Sequence, residues 1–195
     1  MSTVTVSTPT VYPVTLAEAK AHLVIDHDLD ESLVDGLVAA ATEYAEQYTN
    51  RALVQRTLDY SVDSFPARFF VLPKAPALSV TSIDYTDTNG DPQTVPTTVY
   101  GLDVGVNPPV IYLKYGQVWP TARSERNAVT VRFVAGYVGL GSPEDVRAGV
   151  PEAIKAAIKL IVGDLYLNRE RKMDVQVYNN DTADLILHAF RLYEL

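Results

Sequence analysis

The stretch VPEAIKAAIKLIVGDLYLNRE, residues Val150 to Glu170, decides the fold. Pro151 stands where a helix best tolerates proline, in the first turn, and Glu152 complements the positive helix end. Val150, Ile154, Ala157, Ile158, Ile161, Val162, Leu165 and Tyr166 then recur at the three- and four-residue spacing of one helix face. Ala153, Leu160 and Leu167 widen that stripe, so the spacing predicts a helix buried over more than half its circumference. Lys155, Lys159, Asp164 and Arg169 are left to face water. Such a helix is the centre of a core and carries no chemistry.

Upstream, residues 1–13 are rich in Ser, Thr, Val and Pro and read as an extended arm. Thr15-Leu16-Ala17-Glu18 is a capping box that opens a short helix to about Val24, with Leu16, Ala19 and Leu23 on one side. Asp28 with Glu31, or Asp30 alone, can cap a second helix whose stripe is Leu29, Leu33, Val34, Leu37, Val38, Ala41, Tyr44, Ala45 and Tyr48. The period then drops to two. Leu58, Tyr60 and Val62 alternate with polar residues, and so do residues 80–85; strands also fit 98–104, 110–115 and 128–134, where Val129, Val131 and Phe133 share a face. Asp87-Thr88-Asn89-Gly90-Asp91 is a hairpin turn, and prolines restrict pairing in this block to short strands or edges.

This order predicts an α+β fold: a helical bundle core of two N-terminal helices plus a long C-terminal helix, with a β-rich insertion and a C-terminal arm. The chain, 195 residues with 47% hydrophobic and 21% charged, reads as a single domain able to bury a real core. Its parts are the N-terminal arm 1–13, helices in 14–50, the insertion 51–137, the core helix 143–171 and the C-terminal arm 172–195. No apolar run is long enough to cross a membrane, and the N-terminus lacks the basic and apolar regions of a secretory signal.

Charge is uneven. Residues 1–50 hold eight acids and one base, a net of −7, against −8 for the whole chain. A negative surface repels phosphate, which argues against duplex binding driven by counterion release. It fits a solvated face, a basic partner, or a channel through which DNA slides without sticking.

Chemistry finds little support. There is no cysteine, hence no disulfide, thiol nucleophile or Cys-based metal site. Asp26-His27-Asp28-Leu29-Asp30 has the alternating acids of a calcium loop, but Glu31 stands where that loop needs glycine and Leu37 where it needs a bidentate acid. His22, His27 and His188 have no zinc-site spacing. Gly136, Gly139 and Gly141 run in the reverse order of a dinucleotide fingerprint and read as loop glycines. No nucleophile elbow or triad is legible, so no catalytic residue, cofactor or metal is expected. Tyr60, Tyr85, Tyr100, Tyr112, Tyr115 and Tyr137 of the β block fit half-buried sheet positions better than stacking platforms for sugars or bases. Near the end, Leu185, Ile186, Leu187, Phe190, Leu192 and Tyr193 form an apolar cluster that either packs back on its own domain or anchors in a partner's groove.

Several segments together resemble the head–tail connector (adaptor) family of tailed bacteriophages. VTLAEAKAHL with its Asp-rich turn, AATEYAEQYTNRAL, LVQRTLDYSVD, LPKAPALSVTSIDYTDTNG, VTVRFVAGY and the helix quoted above occur in the family's order over roughly residues 14–171. The resemblance implies a non-enzymatic structural protein of the virion's head–tail junction, present in the host cytoplasm during assembly. It implies a ring, typically twelvefold, that docks on the portal, encloses a DNA channel without sequence-specific binding, and offers a platform to a downstream neck or tail protein. In that setting the cluster from Leu185 to Tyr193 is the expected portal anchor, and deletion of residues 180–195 is expected to abolish portal binding and leave the fold intact. The alternatives are another neck or tail-completion protein, or a β-rich module that binds protein or carbohydrate.

Overall fold

A computed structural model describes residues 2–7, 11–138, 147–168 and 181–193. Among them are four helices and two antiparallel sheets, a mixed α+β chain as expected. The chain divides into two compact units: a β unit of Met1–Pro9, Gln55–Gly136 and Glu194–Leu195, and a helical unit of Thr10–Val54 and Tyr137–Tyr193.

The helical unit holds α1 (Leu16–Leu23), α2 (Glu31–Thr49), α3 (Glu152–Leu167) and α4 (Thr182–His188). The predicted capping box opens α1: the Glu18 amide donates to Thr15 Oγ1 at 3.1 Å, and the Thr15 amide donates to Glu18 Oε2 at 2.7 Å. That backbone bond holds the Glu18 carboxyl below its ordinary pKa. Val24 ends the helix in the left-handed region, φ 58°. At α2 the expected cap is absent. Asp30 occupies the N-cap position without a side-chain cap bond, and its Oδ2 instead accepts from the Tyr166 hydroxyl at 2.6 Å. Asp28 pairs with Lys20 at 2.8 Å.

Core residues of α2 are Val34, Val38, Ala41 and Ala45. Three members of the expected stripe lie outside: Leu29 is 91% exposed, Tyr44 43% and Leu33 38%. Leu29 falls in the turn before the helix starts, and the facing elements cover a narrower arc than the apolar pattern spans. On α3 the stripe holds through Val150, Ile154, Ala157, Ile158 and Val162, then fails at Leu165 and Leu167, which are exposed. Lys155 departs from expectation in the other direction: it is buried, its stem on apolar surface, and its Nζ reaches Glu152 Oε1 at 2.8 Å. The helix is also shorter than residues 143–171. Residues 147–150 form a turn before it, whereas 143–146, 169–171, Gly139 and Gly141 lie outside the described residues.

The β unit contains β1 (Ser2–Thr5), β2 (Arg56–Val62), β3 (Phe69–Val71), β4 (Ala77–Thr86), β5 (Pro92–Thr94), β6 (Tyr100–Asp103), β7 (Val110–Leu113) and β8 (Val129–Ala135). One sheet runs β1-β2-β8-β4-β5 and the other β3-β7-β6. The predicted strands appear: those expected at 98–104 and 110–115 are shorter, those around 58–62 and 80–85 are longer, and that at 128–134 is shifted by one residue. Within the expected arm, residues 2–5 pair antiparallel with β2. β8 lies between β2 and β4, and Val129, Val131, Phe133 and Ala135 on one face are buried. The β4–β5 turn is the predicted hairpin: Gly90 has φ 96°, and Asp87 Oδ1 accepts from the amides of Asn89 and Asp91 at 2.8 and 3.0 Å. Pro92 opens a short edge strand, as proline must.

Two measurements check this packing. Phe133→Ala is expected to cost about 3–5 kcal/mol in urea unfolding, because its ring is fully buried in the central strand. Thr15→Ala is expected to cost about 1 kcal/mol at neutral pH. Because the folded pKa of Glu18 is depressed, its contribution is complete above the ordinary glutamate range and fades as pH falls through the lowered value. Thr15→Ala keeps the backbone bond and loses the hydroxyl's bond to Glu18 Oε2 (2.8 Å), so only that share of its penalty shrinks in acid.

Candidate functional site

The C-terminal segment enters the helical unit through α4. Ala183 and Leu187 join the core that contains Val34, Val38, Ile154 and Ile158. Beyond the helix, the Leu192 amide donates to the Thr49 carbonyl at 2.9 Å, and Arg51 Nε donates to the Phe190 carbonyl at 2.6 Å. The Tyr44 hydroxyl donates to Asp184 Oδ1 at 2.8 Å; that bond, with burial second, raises the tyrosine's pKa. Arg191 lies over the rings of Tyr48 and Tyr193, 5.4 and 5.6 Å from their centroids. The C-terminal end of α2 and the residue Arg51 just beyond it thus fix the tail in place.

The expected cluster is split by this arrangement. Leu187 and Leu192 are buried, Ile186 and Phe190 are half-buried against the same core, and Leu185 (73%) and Tyr193 (61%) project into solvent. Of the two readings open from sequence, packing back accounts for four of the six residues. Leu185 and Tyr193 remain available to a partner. The signal that sorts them is helical spacing: Ala183 and Leu187 are four apart on one face, and Leu185 lies between them on the other.

Several charged groups are held in pairs. Lys20 bonds Asp28 and Glu31, both at 2.8 Å, which raises the lysine pKa and lowers that of Asp28. Arg132 meets Asp59 through two hydrogen bonds of 2.8 and 2.7 Å, and this pairing raises its pKa. Burial raises the Tyr100 hydroxyl, with Asp84 a smaller cause. Among the described residues no group of three or more His, Asp or Glu could hold a metal ion, and no helix is long and apolar enough to cross a membrane. Tyr60 and Tyr100 are buried in the sheets as expected, whereas Tyr112 and Tyr115 are exposed. The three-stranded sheet that carries Tyr112 was only partly legible, because Phe69–Val71 is too short to show a period.

Comparison with known proteins follows the same lines. The sequence model of the phage gp6-like head-tail connector protein matches residues 13–90. No curated protein matches. Among solved structures, a chain of the virion of a native gene transfer agent (GTA) particle is similar with a TM-score of 0.80 at 18% identity, covering 100% of this chain and 97% of that one. Chains from the neck of an empty GTA particle (TM-score 0.79, 18% identity) and from the neck of a native one (0.76, 20%) are similar over the same shares. Residues 13–90, then, match the sequence model of the phage gp6-like head-tail connector protein, the family the sequence resembles, and the fold along the whole length is similar to that of chains of gene transfer agent particles.

Proposed function

We propose that this protein is a structural connector at the head–tail junction of a phage-like particle, with no catalytic role. One observation carries the reading: the connector family's sequence model and the neck-like fold coincide on the same chain. The neck structures it resembles were computed with C6 and C12 symmetry, which supports a ring, twelvefold in the simplest case. The chain acts as one adaptor whose helical bundle carries the β-rich insertion. Its ring docks on the portal protein, presents a platform to the next neck or tail protein, and lets DNA pass without sequence-specific contact. The acidic first quarter suits that passage, since fixed negative charge keeps phosphate from sticking.

The C-terminal segment is the portal contact in this proposal, through the two apolar side chains it leaves in solvent, Leu185 and Tyr193. Deleting residues 180–195 is a poor test of it, because the deletion also removes Leu187 from the core. Point changes separate the roles. Leu185→Asp is expected to abolish co-migration with the cognate portal protein and leave the thermal midpoint unchanged. Leu187→Ala is expected to lower stability by about 2–5 kcal/mol. Electron microscopy of the wild-type mixture should show a ring of this chain stacked on the portal. Failure to form any complex, while the protein stays folded, would overturn the portal role and favour a different neck or tail-completion position.

A further inference from the structure

The three-stranded sheet of the β unit has an uncovered apolar face. Phe70 and Ile111 point to the buried side. On the other side, Phe69 pairs with Tyr112 and Tyr112 with Gly101 in one cross-strand row, and Val71, Val110 and Asp103 form the next. Phe69 is 47% exposed and Tyr112 44%. Gly101 keeps this face flat: a Cβ there would stand 2.7 Å from Tyr112 Cζ, so the ring lies across bare backbone. Arg68 precedes Phe69 and Lys114 follows Tyr112 by two residues; both are exposed, and the Lys114 ammonium donates to the Thr97 carbonyl at 2.9 Å. A partner for this face must offer apolar side chains bordered by carboxylates.

The helical unit of the same chain offers that combination. In the turn between α1 and α2, Val24 is 89% exposed and Leu29 91%. Asp26, Asp28 and Asp35, also exposed, surround them in sequence. Val24 has φ 58°, a conformation in which a β-branched residue is an outlier and glycine or asparagine would be cheaper. Among the described residues none covers this valine.

We propose that the two surfaces meet between copies: the β face around Phe69 and Tyr112 of one protomer receives the α1–α2 turn, with Val24 and Leu29, of the next. Arg68 and Lys114 of the first face Asp26 and Asp35 of the second. Because the surfaces are unlike, the contact is heterologous: it does not stop at a dimer, and repetition of it builds a ring when the rotation closes. The inference deepens the ring proposed above and rests on it.

The chain has no cysteine, so single cysteines report contacts cleanly. Two full-length variants, Tyr112→Cys and an epitope-extended Leu29→Cys, are mixed, assembled with the portal protein and oxidised. The expected product is a disulfide-linked pair of mixed size, with none formed by either variant alone. Adding Asp26→Lys and Asp35→Lys to the Leu29→Cys copy should cut the yield about tenfold or more. Adding Arg68→Glu and Lys114→Glu to the other copy should then restore it. Micrographs of the same samples separate the two claims. Rings without the mixed cross-link, or cross-links within one variant alone, overturn this interface and leave the ring standing. Absence of rings overturns both.

Discussion

Burial of α2 against α3 is the interaction on which the helical unit depends. Val34, Val38, Ala41 and Ala45 share one core with Ile154, Ala157, Ile158 and Val162. Each large member stabilises the fold by roughly 1.5–3 kcal/mol when fully buried. The alanines matter as much, because short side chains let the two helices approach closely. The partners come from opposite ends of the chain, so this core can form only if the β excursion between them leaves and returns at nearly the same place. It does. Leu53 is buried in the same core, its amide donates to Glu46 Oε1 at 2.8 Å, and Val54 forms a bridge with Tyr137.

That local closure explains how much was legible in advance. The α3 stripe, the Thr15 capping box, the Asp87–Asp91 hairpin and the alternation along Val129, Val131 and Phe133 are short-range patterns, and each appears where its spacing puts it. What escaped was set by distant partners. Asp30 leaves its capping role because Tyr166 presents a hydroxyl to it. Lys155 is covered, and Leu29 and Leu33 uncovered, because the width of a helix's buried arc depends on what faces it. Residues 2–5 look like an arm because their pairing partner, β2, lies beyond two helices in sequence. The C-terminal cluster was ambiguous for the same reason: only the position of α4 tells Leu187 from Leu185.

The acidity of the first fifty residues also takes a different meaning in three dimensions. Much of it is spent internally. Glu18 closes the capping box, Asp28 and Glu31 hold Lys20, Asp30 accepts from Tyr166 and Glu46 accepts from Leu53. The same charge count therefore stiffens the start of the chain; of the eight acids, Asp26 and Asp35 are exposed to act on the surroundings, and Glu43 accepts from Gln47 Nε2 at 3.2 Å.

The pairing of residues 2–5 with β2 has a consequence for how the chain can be divided. The β unit is not one continuous segment, since its first strand precedes the whole of α1 and α2. A fragment beginning at Gln55 keeps β2, β8 and β4 but strips the outer strand from β2, leaving a seven-residue border of backbone amides and carbonyls with no mate. Bare borders of that kind recruit identical ones from neighbouring molecules. The excised sheet is thus set to aggregate, and the few residues that precede the helices act as its gatekeeper.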